Sequence, residues 1–180
     1  MPPPERTYRL YRFLTDLESI LAAEPDDRQR IQQITPLVRQ LLTSSYWLQM
    51  EFDPPGPKGW SVRFLYREYS FPLTVQMVAW APGQRSTIHN HATWGIVALV
   101  GGAEKNRLWQ RQPTPEHPHQ IVPAGELILS PGDVIGFMPD AIHQVEPLGE
   151  EPTVSFNLYG VTDTPNRYQF DPEGKTAKRF

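Results

Sequence analysis

The sequence predicts a mostly β domain, a sandwich or barrel, preceded by an N-terminal helical segment. Three observations point there. Twenty prolines and twelve glycines are spread between short apolar runs, which is the punctuation of a strand-rich chain with many turns. After Asp53-Pro54-Pro55-Gly56-Pro57 those runs are enriched in Val, Ile, Phe, Tyr and Trp, residues that fit a pleated, half-buried surface. Before that cluster, apolar residues recur every three or four positions, the period of one helix face.

From Glu5 to Leu21 the positions Leu10, Phe13/Leu14, Leu17 and Ile20/Leu21 share a face, and Glu24-Pro25-Asp26 ends the helix. Asp26 or Asp27 caps a second helix in which Ile31, Ile34, Val38 and Leu41/Leu42 line up. Pro36 lacks a backbone donor and is expected to break or kink it. Strands are expected at 60–67, 73–80, 87–91, 94–100, 103–111, 119–122, 126–130, 133–137, 142–147 and 152–160. Between them stand Pro82-Gly83, Gly101-Gly102, Pro123-Ala124-Gly125, Pro131-Gly132-Asp133 and Leu148-Gly149-Glu150. Short strands at such regular spacing close into a sandwich or barrel. The tail from Thr162 reads as irregular chain with a short pairing around 168–170. The expected organisation is one domain over 1–180, made of a helical leader (1–50), a barrel (58–160) and a C-terminal tail (161–180).

At 180 residues one domain buries roughly 70% of its unfolded surface, so the core needs no staple. With 17 basic and 20 acidic residues the net charge is -3, and no basic run or aromatic-interleaved basic patch argues for nucleic acid. The start carries no apolar signal region, and the run Ile96 to Val100 is far too short to span a bilayer. The expectation is a soluble, cytoplasmic protein without a membrane partner, monomeric or homodimeric. Cysteine is absent, which excludes disulfides, zinc-thiolate sites, iron-sulfur clusters and a cysteine nucleophile. Any transition metal must be held by nitrogen and oxygen.

His89-Asn90-His91 is the motif that carries chemistry. In an extended segment its two histidines point to the same face, where they can grip one ion. A third imidazole from a neighbouring strand, His143, would complete a neutral three-nitrogen face with positions left open for substrate and dioxygen. His117-Pro118-His119 has the same spacing but lies in a proline-rich loop, and it reads as solvent-exposed with no ligand role.

Gly83, the His89-Asn90-His91 motif and Gly102 resemble the first signature of the cupin superfamily, and Pro131-Gly132-Asp133 through Pro139 to His143 resembles the second. The resemblance implies a double-stranded β-helix, a jelly-roll barrel with the metal in its mouth. Ordinary cupins add a glutamate ligand four or five residues after the second histidine, where Gly95 and Ile96 stand here. A missing glutamate is distinctive of the thiol dioxygenases, cysteine dioxygenase and 3-mercaptopropionate dioxygenase. Ser61-Val62-Arg63 sits where the cysteine enzymes carry their carboxylate-binding arginine. Asn166-Arg167-Tyr168 is similar to the closing segment from which the mercaptopropionate enzymes take theirs. Ser155-Phe156-Asn157-Leu158-Tyr159 resembles the family's Ser-x-His-x-Tyr run, with Asn157 in the place of the relay histidine. An amide there can hydrogen-bond to Tyr159 but cannot titrate near neutral pH.

The resemblance thus implies an Fe(II) enzyme with His89, His91 and His143 as ligands, Arg63 or Arg167 binding substrate, and Tyr159, Ser155 and Asn157 beside it. The reaction implied is oxidation of a small carboxylated thiol by O2 to its sulfinic acid, with cysteine ahead of 3-mercaptopropionate because of Arg63. On the residues alone, Arg63 is either that anchor or an outward-facing residue paired with an acid such as Glu68. Tyr159 is either an active-site group or a core tyrosine, and Trp94 reads as barrel core. Two other functions stay open: a metal-binding cupin without oxygenase turnover, and a cupin enzyme acting on a non-thiol substrate.

Overall fold

Asp26 opens the longer of two helices by accepting a hydrogen bond from the Gln29 amide through its side chain, which satisfies one of the free donors of a helix start. The computed structural model describes residues 7–67 and 73–180. It comprises a helical unit up to Glu51 and a β unit from Phe52. In the helical unit α1 is Leu10–Ala23 and α2 is Asp27–Ser44. Glu5 and Arg6, where the first helix was expected to start, lie outside the described residues, and so does Glu68. No helix among the described residues is long and apolar enough to cross a membrane.

Pro36, expected to break or kink α2, does not break it. The carbonyl it strands is that of Gln32, and both residues lie on the exposed face, where water can replace the lost bond. Ile34, Val38 and Leu41 on the opposite face are fully buried, so packing on either side of the proline keeps the segment helical.

Among the described residues the β unit contains eleven strands: β1 Trp60–Arg67, β2 Thr74–Trp80, β3 Ile88–Asn90, β4 Gly95–Gly101, β5 Ala103–Arg111, β6 Ile121–Leu129, β7 Val134–Phe137, β8 Ile142–Leu148, β9 Thr153–Tyr159, β10 Tyr168–Asp171 and β11 Thr176–Arg179. They form two antiparallel sheets, ordered β1-β2-β9-β4-β7 and β11-β10-β3-β8-β5-β6. The chain passes repeatedly from one sheet to the other between β2 and β5 and again between β6 and β10. That alternation is the winding of a double-stranded β-helix.

Two details of the strand map differ from the sequence reading. The runs at 119–122 and 126–130 are one strand, β6, because Pro123-Ala124-Gly125 is absorbed as an irregularity opposite Leu108/Trp109. β6 is an edge strand, where a proline's missing donor costs no ladder bond. In the tail the short pairing expected around 168–170 is present as β10, and the difference is a further strand, β11; the two extend the second sheet, with β10 pairing to β3. That pairing brings the C-terminal segment to the histidine motif.

Candidate metal centre

β3 is short, and its register opposes His89 to His143 of β8. Both therefore face the interior, and His91 follows on the same side two residues later. One ligand nitrogen from each of the three lies within 4.8 Å of the others, and among the described residues no carboxylate joins the group. His89 donates through Nδ1 to the Thr87 carbonyl at 2.8 Å. His143 donates through Nδ1 to Asn106 Oδ1, also at 2.8 Å. Each bond fixes the tautomer and leaves Nε2 as the free lone pair. His91 Nε2 and His143 Nε2 then stand 2.9 Å apart: in the metal-free protein His91 can donate across that gap to the His143 lone pair, and a metal ion would take the place of that proton. The donor set fits one metal ion.

Burial holds the pKa of His89 below the ordinary imidazole range and those of His91 and His143 well below it, helped by their mutual proximity. Neutral imidazoles are the form a metal needs.

Tyr159 stacks on His91, ring centroids 4.6 Å apart. Its hydroxyl donates to Asn157 Oδ1 at 2.9 Å, and Asn157 Nδ2 donates to Ser155 Oγ at 2.8 Å. The three residues alternate along β9, so all face inward as one hydrogen-bonded line. Burial raises the Tyr159 pKa, and the nearby Glu104 carboxylate adds to this, so the hydroxyl stays protonated at neutral pH. Gly95 pairs with Tyr159 across β4 and β9, and a Cβ there would meet the tyrosine ring at 2.7 Å. Gly95→Ala is therefore expected to cost roughly 1–3 kcal/mol by overpacking, read as a lower urea midpoint, with loss of the Tyr159–Asn157 bond in a crystal structure.

Glu104 and Asn106 were not singled out from the sequence. Asn106 Nδ2 donates to Glu104 Oε1 at 2.8 Å, which fixes the amide so that its oxygen faces His143. Thr153 donates to the other carboxylate oxygen at 3.5 Å. Along β5 inward Glu104 and Asn106 alternate with Lys105 and Arg107, so no apolar stripe distinguishes inside from outside. The one available signal is a carboxylate and an amide two residues apart in a strand.

Glu104 is 2% exposed, and burial raises its pKa above the ordinary carboxylate value. Between the unfolded value and the raised folded one, the folded protein holds a proton that the unfolded chain releases. The stability this group contributes is present at acid pH and lost as pH rises through that window. Glu104→Gln keeps an acceptor for Asn106 and adds a donor for Thr153. It is expected to raise the melting temperature at pH 7 while giving no gain below pH 4; a gain independent of pH would count against the assignment.

The two arginines lie on opposite sides of the barrel wall. Trp60 and Val62 of β1 line the cavity, so alternation turns Ser61 and Arg63 to the other face. Arg63 pairs there with Asp53 at 3.3 Å, its side chain 45% exposed. This corrects the expectation that Arg63 anchors substrate: the inward position is one residue earlier and is a valine. Arg167 does line the cavity. Its guanidinium lies over the Phe180 ring, 4.2 Å from the centroid, and its Nε is buried with no hydrogen-bond partner among the described residues. Asn90, the residue between the two ligands, accepts from the Tyr168 amide at 2.7 Å and donates to the Asn166 carbonyl at 2.9 Å. It grips the chain on both sides of Arg167.

His117 and His119 are half-buried rather than exposed. His119 packs against the Tyr168 ring at 5.3 Å, and neither belongs to the metal group. Trp94 is 4% exposed, in the core as read from sequence.

No family model matches the chain. Among solved structures it is similar to a Cupin 2 conserved barrel domain protein from Salinispora arenicola, at 18% identity over 56% of this chain and 74% of that one, TM-score 0.43. A cupin-like protein from Thermotoga maritima matches at 18% identity over 67% and 75%, TM-score 0.44. An oxalate oxidase in complex with the substrate analogue glycolate matches at 13% identity over 59% and 53%, TM-score 0.46. The strand order of the two sheets is by itself that of a double-stranded β-helix. The cavity holds about 510 Å³ and draws its lining from both sheets, the three histidines, Tyr159 and Arg167 among them.

Proposed function

We propose that this chain is a cupin and an iron(II) thiol dioxygenase that converts a small carboxylated thiol to its sulfinate. The observation that supports it best is a group of three neutral imidazoles without a carboxylate, with Arg167 on the same cavity. Uncharged ligands leave a ferrous ion its full double charge, which favours an anionic sulfur over a neutral ligand. His89, His91 and His143 would hold the iron, which when bound would supply the redox chemistry that joins O2 to the thiolate. Arg167 holds the carboxylate through paired donors, and the Tyr159 hydroxyl, kept protonated, offers a hydrogen bond beside the reacting sulfur. The reaction balances without an outside reductant: RSH + O2 gives RSO2⁻ and a proton. Both oxygen atoms end on sulfur, which loses four electrons, and the proton goes to solvent.

With Arg63 outside the cavity, the resemblance favours its mercaptopropionate branch, so 3-mercaptopropionate precedes cysteine. Anaerobic reconstitution with ferrous iron, followed by oxygen uptake and mass detection of the sulfinate, tests this. Asn157 supports a second reading, a metal-binding cupin without turnover, because an amide cannot relay a proton. Tight iron binding with no uptake on any small thiol would establish that reading in place of the first.

A further inference from the structure

The cavity extends well past the space a three-carbon thiol needs. Such a molecule spans about 5 Å from sulfur to carboxylate at roughly 1.5 Å per bond, a small part of a cavity of about 510 Å³. The lining continues along β9 from Tyr159 to Ser155, four residues or about 13 Å, and Val78 and Val62 lie beside Ser155 in register. Two residues further, Trp80 pairs with Thr153 and Trp60 with Trp80. The two indoles line the cavity at 6.1 Å between centroids, and Trp60 remains 41% exposed. A large aromatic surface open to a cavity gains on covering by an apolar group. Glu104, the carboxylate nearby, has its oxygens taken by Asn106 and Thr153, and Lys58 also lines the cavity. Val62 and Val78 offer no acceptor to an α-ammonium.

We propose that Val62, Val78, Trp60 and Trp80 form a second subsite, which takes an uncharged apolar or aromatic substituent on the α-carbon of the thiol acid. This deepens the thiol dioxygenase reading and rests on it. The preferred substrate class is then the α-substituted 3-mercaptopropionates, while the α-ammonium of cysteine faces valine.

The test compares 3-mercaptopropionate with 2-benzyl-3-mercaptopropionate on the iron-loaded protein. The benzyl compound is expected to show kcat/KM higher by roughly 10-fold or more, the usual worth of an apolar group in a fitted pocket. Val78→Phe, which fills the subsite, and Trp60→Ala, which removes its wall, should each cut that ratio at least several-fold. Turnover of the parent thiol with the benzyl compound equal or slower overturns the subsite and leaves the proposed function standing. Oxidation of neither thiol overturns the function. The subsite is then decided by tryptophan fluorescence titration: tighter binding of the benzyl compound, lost in Trp60→Ala, supports it, and equal binding of both thiols overturns it.

Discussion

Arg167→Ala is expected to raise KM for 3-mercaptopropionate by roughly 100-fold, the loss of a charge-assisted bidentate contact at about 1.5–3 kcal/mol, with a much smaller effect on cysteamine, which has no carboxylate. Arg63→Ala is expected to leave both unchanged, because its guanidinium pairs with Asp53 on the far face of β1. The contrast tests which arginine the cavity uses. Arg167 follows a short 3-10 turn, Thr164–Asn166, and immediately precedes β10, so its place depends on how that segment is held. Asn90 holds it from both sides. Asn90→Ala should therefore raise KM for the carboxylated thiol by about 10-fold, through a side chain that never touches substrate. Oxygen-uptake kinetics on the four proteins and two thiols measure all of this. An Arg63→Ala variant as impaired as Arg167→Ala would reverse the assignment.

The arginine assignment also shows what could be read from the chain before its structure. The histidine motif was legible because period two is a backbone property: residues 89 and 91 share a face whatever surrounds them. Turn chemistry at Pro82-Gly83, Gly101-Gly102 and Pro131-Gly132 marked most strand ends for the same local reason. Arg63 was misplaced because a resemblance in spacing leaves register free by one residue, and one residue turns a side chain through the sheet. Trp60-Ser61-Val62-Arg63-Phe64 carries bulky apolar residues at alternate positions and could have placed Arg63 outside. Glu104 and Asn106 were hidden by a strand that is polar on both faces. Pro36 and the last strand, β11, depended on which surface was exposed and which strand lay nearby. Those are tertiary facts that no local pattern holds.

His143→Ala is expected to weaken ferrous iron binding by more than about 100-fold, beyond the 10–100-fold that losing an outer-shell partner typically costs. Asn106→Ala should fall within that lower range, because it removes only the acceptor that fixes the tautomer of His143. The two variants separate the ligand from its orientation. In Asn106→Ala the buried Nδ1–H of His143, a residue 3% exposed, loses its partner. The variant should lose about 1–3 kcal/mol of stability as well, and the ring becomes free to place its proton on Nε2, where it blocks the metal. Anaerobic titration of the metal-free proteins against a competing chelator measures the affinities, and urea unfolding measures the stabilities. A His143→Ala protein that binds iron as tightly as the parent would remove β8 from the centre. Wild-type affinity in Asn106→Ala would mean that burial alone orients the ring. The expected order, parent above Asn106→Ala above His143→Ala, follows from one geometric fact: Nδ1 of His143 is committed to an oxygen, so the only lone pair the ring can offer faces His91.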